Sequence, residues 1–134
     1  MLDRFLRAGL GFGGGVEPQT LPEEALMAFQ AYQLALETIT ALRPVMPRIR
    51  RHDRSLALQL VRAASSTVLN LGEGAYSDPG TRRARYCNAA GSANETRAAL
   101  EVAVAWGYLT PSQAEPVSAR LDRVIGILWK LSRG

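Results

Sequence analysis

The stretch Ser65-Ser66-Thr67-Val68-Leu69-Asn70-Leu71-Gly72-Glu73-Gly74, followed at once by Ser77-Asp78-Pro79-Gly80 and a long Arg- and Ala-rich segment, constrains the fold more than any other part of the chain. Apolar residues recur there at helical spacing, yet small and polar residues stand where an ordinary core would have Leu or Ile. The stretch reads as one helix running into a tight turn and a second helix, with a specific packing seam between the two.

The rest of the pattern supplies the partners of that pair. Pro22 and Glu23 after Thr20 offer an N-cap, a proline near the first helical position and a capping-box acid, so a first helix starts there. Its apolar positions Leu26, Phe29, Tyr32, Leu34, Leu36, Ile39 and Leu42 predict a broad buried face, and Pro44 and Pro47 are expected to end it. A connection, Arg48 to Arg54, leads to a second helix from about Arg54 to Ala75, capped by Asp53. Leu56, Leu60, Ala63 or Ala64, Thr67 and Leu71 form one face of it. Leu58, Val61, Val68 and Leu69 broaden that face, which suggests contact with more than one neighbour, another subunit among the candidates.

Ser77 or Asp78 before Pro79 starts a third helix, which runs to Trp106 before Gly107 supplies a left-handed stop. Thr110-Pro111-Ser112-Gln113 is a second capping-box pattern, opening a fourth helix with Val117, Leu121, Val124, Ile125, Leu128 and Leu131 on one face; Pro116 is expected to separate or kink its first turn. No sustained period-two alternation competes. The expected class is all-α, an antiparallel up-down-up-down four-helix bundle over residues 21–134, preceded by a flexible Gly-rich leader over 1–20.

A chain of 134 residues can bury a single core without staples. One cysteine, Cys87, and one histidine, His52, form neither a disulfide framework nor a Cys/His zinc site within one protomer, so a reducing, cytoplasmic setting is expected. There is no run of about 18 apolar residues, hence no membrane span is expected. Cys87 reads as a small buried hydrophobe rather than a nucleophile, and Glu73 with Glu95 reads as part of a satisfied polar network, with Arg62 or Arg97 as counter-ion, rather than a di-metal site. We expect no enzyme activity, no cofactor and no metal.

Charge is the sharper signal. The formal net charge is +4, and Lys130 is the one lysine among sixteen basic residues. Arg43, Arg48, Arg50, Arg51, Arg54 and Arg62 against Asp53 give +5 over residues 43–62, and Arg82, Arg83 and Arg85 begin the third helix. In an antiparallel bundle these clusters form two poles. Arg48, Arg50, Arg51, Arg54, Arg82, Arg83 and Arg85 are therefore the candidate nucleic-acid contacts, to RNA or DNA, through phosphate rather than bases. Aromatic residues beside these clusters are limited to Tyr76 and Tyr86, which argues against a dedicated reader of single strands. A protein scaffold whose basic ends meet an acidic partner is the alternative.

The order Ala31-Tyr-Gln-Leu-Ala35, Arg62 through Asn70-Leu-Gly-Glu-Gly74, Arg85-Tyr-Cys-Asn-Ala-Ala-Gly-Ser92 through Glu95, then Ala105-Trp-Gly-Tyr-Leu109, resembles the bacterial four-helix bundle proteins. That family includes the protein encoded in intervening sequences of large-subunit ribosomal RNA genes and the accessory variability determinants of diversity-generating retroelements. The resemblance covers about residues 26 to 131. It implies a basic ring, typically a homopentamer, which in the retroelement members binds reverse transcriptase and nucleic acid without chemistry of its own. It also implies structural seam roles for Asn70, Glu73, Gly74, Ser92 and Glu95. The Gly-rich leader is not part of the family pattern.

Overall fold

The computed structural model describes residues 22–133; the Gly-rich leader and Thr20 lie outside the described residues. Five helices follow one another: α1 Glu23–Leu42, α2 Met46–His52, α3 Arg54–Gly74, α4 Pro79–Ala105 and α5 Pro111–Arg133. Among the described residues there is no strand. The architecture is all-α. The four long helices pack neighbour on neighbour, α3 on α4, α4 on α5, α5 on α1 and α1 on α3, while short α2 leans on α3.

The helix α2 is absent from the sequence reading, which treated Arg48 to Arg54 as a connection and Pro47 as a stop. Pro47 lies in the first turn of α2, where its missing N–H removes no helical bond. Arg50, Arg51 and His52 occupy the last turn, where positive charge complements the exposed carbonyls. Asp53 is extended, ends α2 and caps α3 by accepting from the Leu56 N–H at 3.0 Å.

The remaining ends are set by local chemistry. Asp78 caps α4 by accepting from the Thr81 N–H at 3.0 Å and the Thr81 hydroxyl at 2.9 Å. At the far end of α4, Gly107 has φ +79°; its N–H donates to Val104 O and the Tyr108 N–H to Ala103 O, each at 2.9 Å, closing a Schellman turn. Thr110 and Gln113 bond reciprocally: the Thr110 N–H donates to Gln113 Oε1 at 2.9 Å and the Gln113 N–H to Thr110 Oγ1 at 3.1 Å. Helix α5 is continuous from Pro111 to Arg133, with Pro116 inside it.

Burial on α1 departs from the expected face. Ala25, Ala28, Ala31, Leu34, Ala35, Thr38 and Leu42 are buried, while Phe29, Tyr32, Leu36 and Ile39 flank them half-buried and Leu26 is exposed. Alanines at the centre bring the helix axes close, so the larger side chains are displaced to the edges of the contact. On α5, Val117, Leu121, Val124, Leu128 and Leu131 are buried as the period predicts. Buried hydroxyls are bonded within their own helices: Thr38 donates to Leu34 O, Thr67 to Ala63 O and Thr96 to Ser92 O, at 2.8 to 2.9 Å. Cys87 is exposed, contrary to expectation. The buried positions of α4 are Tyr86, Ala89, Ala93, Thr96, Leu100 and Ala103, and Cys87 lies about 100° round the helix from Tyr86.

Two glycines are required by geometry and a third is not. A Cβ on Gly74 would stand 2.8 Å from Cε1 of the buried Tyr86 ring, and Gly107 has a backbone disfavoured for other residues, whereas Gly91 faces open space within α4. Gly74→Ala and Gly107→Ala are each expected to destabilise the protein by about 1–3 kcal/mol, and Gly91→Ala to stabilise it by about 0.5–1 kcal/mol, measured by urea denaturation.

Candidate nucleic-acid interface

The α3–α4 seam fixes where the charged and aromatic side chains fall. Ser66 and Ser92 share a hydrogen bond of 2.8 Å across it. Asn70 Nδ2 donates to Ser66 O at 2.9 Å and to Ser66 Oγ at 3.1 Å. Arg85 reaches from α4 to Asn70 Oδ1 at 3.5 Å and to Glu73 at 3.0 Å. Gly74 lets the Tyr86 ring lie against the last turn of α3. Asn70, Glu73, Gly74 and Ser92 are thus brought together, joined by Ser66 and Arg85, whose part the sequence reading did not assign. The i, i+4 spacing of Ser66 and Asn70 was the available signal.

Glu95 stands apart. It is exposed, and it lies ten residues beyond Arg85, about 15 Å along α4. Neither expected counter-ion serves Glu73: its partner is Arg85, while Arg97 lies 4.0 Å from Glu101 and 3.5 Å from Asp122. Among the described residues, no three His, Cys, Asp or Glu side chains form a group that could hold a metal ion.

The two arginine clusters differ in kind. At the α3–α4 turn, Arg82 donates through Nε to Gly74 O at 3.3 Å and through Nη2 to Ser77 O at 3.0 Å, and Arg85 is held in the seam. Both guanidinium groups therefore fasten the turn; Arg83 beside them is exposed. At the opposite end, Arg43, Arg48, Arg50, Arg51 and Arg54 are all exposed, carried on the end of α1, on α2 and on the first residue of α3. Between Arg43 and Arg50 opens a groove of about 300 Å³ with Leu42, Met46 and Val61 in its wall.

The same end holds aromatic rings that the sequence reading did not place there. Ser66 opposite Ser92 and Glu73 opposite Arg85 set an antiparallel register. Continued to the start of α3, it brings the C-terminal end of α4 beside the α2–α3 junction. His52 and Tyr108 stack with ring centroids 5.0 Å apart and planes 4° from parallel. Trp106, at the C-cap of α4, is 71% exposed. Tyr86 is buried, and Tyr76 follows the C-terminal end of α3 at the other pole. The signal was hidden because His52 and Tyr108 are 56 positions apart.

The model of the 23S rRNA-intervening sequence protein family matches residues 24–130. The chain belongs to this family. No curated protein and no solved structure matches the chain. The matched region contains the whole α3–α4 seam and the arginine-bearing α2. No helix among the described residues is long and apolar enough to cross a membrane.

Two ionisable groups at the turn report on its integrity from opposite sides of the pH scale. Bonds from the Thr81 N–H and hydroxyl hold the Asp78 carboxyl below its ordinary value of 3.8. Its contribution is present above pH 3.8 and is lost as pH falls through the lowered value. Asp78→Ala is expected to lower the melting temperature at neutral pH, with the gap to the parent protein closing in acid. Burial pushes the Tyr86 phenol up to about 12, with nearby Arg82 opposing the shift. The unfolded chain ionises near pH 10, so stability should fall by about 2–3 kcal/mol between pH 10 and 12, a slope that Tyr86→Phe removes in alkaline denaturation curves.

Proposed function

We propose that the protein is a non-enzymatic, ring-forming helical module that binds RNA through the arginine-bearing end of the molecule and docks a partner protein. The observation that carries this reading is the cluster Arg43, Arg48, Arg50, Arg51 and Arg54, five exposed guanidinium groups on three consecutive elements at one pole. Several cations on one reachable surface suit a polyphosphate backbone, and the planar guanidinium fork bonds phosphate oxygens in pairs. The family's description names 23S rRNA, which makes structured RNA the nucleic acid to try first; DNA is its natural competitor in the assay. A cytoplasmic location goes with this reading.

The four long helices constitute, in this proposal, an antiparallel four-helix bundle with α2 as a charged cap. Ring assembly is supported by surfaces that the protomer leaves uncovered. Leu58, Val61 and Leu69 lie in one exposed stripe along α3, and the exposed Tyr76 follows it. Ala84, Cys87, Gly91, Ala98 and Val102 share an exposed face of α4, where small side chains permit close approach of another helix. Gly91 costs α4 stability without any contact inside the protomer that needs it, which a neighbouring backbone would explain. A pentamer, and a reverse transcriptase of a diversity-generating retroelement as partner, enter through the motif resemblance. The apolar stripes also favour the scaffold alternative, in which the arginines meet an acidic protein.

A salt titration of binding to labelled structured RNA and duplex DNA separates these readings. Phosphate-driven binding is expected to weaken by orders of magnitude between low and physiological salt, with a log-log slope of about 0.9 per phosphate neutralised on a duplex. Replacing Arg48, Arg50 and Arg51 together with Ala should abolish binding and leave the melting temperature within a few degrees of the parent. Absence of binding at low salt would leave the scaffold reading. Gly91→Leu is expected to lower the assembled mass in sedimentation while the protomer stays folded.

A further inference from the structure

The arginine pole is also an aromatic one, and this combination selects among nucleic acids. The Schellman turn at Gly107 places Trp106 and Tyr108 on either side of a left-handed residue, anchored by bonds to Val104 O and Ala103 O. Tyr108 is half-buried beneath His52, and His52 is exposed, so the imidazole face turned away from Tyr108 is the one left for a further ring. Trp106, two residues before Tyr108 in the chain, is 71% exposed. Exposure of an indole of this size has a solvation cost that nothing inside the protomer offsets. Arg50, Arg51 and Arg54 are exposed and lie within two positions of His52 in the chain.

We propose that Trp106 and the His52–Tyr108 stack form a platform for unpaired nucleobases, so that the arginine pole binds single-stranded or looped RNA in preference to blunt duplex. This rests on the nucleic-acid reading and refines it. Bases in a duplex present only their edges, and their faces are already stacked. An unpaired base can lie on an aromatic ring while its phosphates reach the neighbouring guanidinium groups. The stack extends by one ring, Tyr108 to His52 to base, and Trp106 supplies a second surface beside it. The acidic groups at this end are Asp53, which caps α3 through the Leu56 N–H, Glu101, 4.0 Å from Arg97, and the exposed Glu115 near the start of α5.

The test compares a short oligouridylate with a blunt RNA duplex of the same total phosphate number. Trp129, the other tryptophan, lies under the Arg133 guanidinium at 4.5 Å near the end of α5, away from this pole. Trp129→Phe therefore leaves Trp106 as the single indole. Quenching of its fluorescence by oligouridylate, and a loss of about 5- to 150-fold in oligouridylate affinity for Trp106→Ala, are the expected results. Trp106→Phe should retain most of the affinity, and His52→Ala should lower it. Duplex affinity should change little in these variants. Unquenched fluorescence with equal single-strand and duplex affinity in parent and Trp106→Ala would overturn the platform, while loss of binding in the triple Arg variant would still uphold the arginine site. A changed assembled mass in Trp106→Ala would make the indole a subunit contact and likewise overturn the proposal. If neither probe binds the parent protein, both readings fall.

Discussion

The contact on which the rest depends is the close approach of α3 and α4. Ser66 against Ser92 at 2.8 Å, and a glycine where Tyr86 meets α3, allow these helices nearer to one another than Leu or Ile would permit. Buried polar groups in such a seam are costly unless bonded. Here each is bonded, within its helix or across the seam, and no buried side-chain nitrogen or oxygen among the described residues lacks a partner. A one-turn slip would break Ser66 from Ser92 and Glu73 from Arg85 together. The seam therefore sets the register as well as the spacing.

Register has consequences at both ends. At the turn it turns Arg82 and Arg85 into fasteners, their donors directed at Gly74, Ser77, Asn70 and Glu73. At the far end it brings Tyr108, just beyond α4, against His52 of the arginine-bearing α2. Residues of one type thus have two roles. Guanidinium groups that meet backbone carbonyls and a carboxylate serve cohesion, and those of Arg43, Arg48, Arg50, Arg51 and Arg54 are exposed, the surface on which the nucleic-acid proposal rests.

Much of this was legible in the chain. Asp53, Asp78, Gly107 and the Thr110–Gln113 box act where their spacing implied, because caps are local interactions over three or four residues. The seam residues Asn70, Glu73, Gly74 and Ser92 were identifiable as small and polar groups interrupting an apolar face. Pro47 misled, since a proline that ends one helix is equally suited to the first turn of the next. Cys87 misled as well, because a step of one residue beside Tyr86 moves a side chain from core to solvent.

The sequence by itself determined the bounds of α3 and α4, the start of α5 and its apolar stripe, and that positive charge is concentrated in residues 43–62. These properties depend on neighbours a few positions apart, and hydrogen-bond geometry and helical periodicity translate them directly. Only the tertiary structure decided that Glu73 pairs with Arg85 while Glu95 faces solvent, that Arg82 and Arg85 fasten the turn, and that Trp106 and Tyr108 join His52 at the arginine pole. Those outcomes depend on the rotation and register of one helix against another. Both are set by the packed surface as a whole, which no short stretch of chain contains.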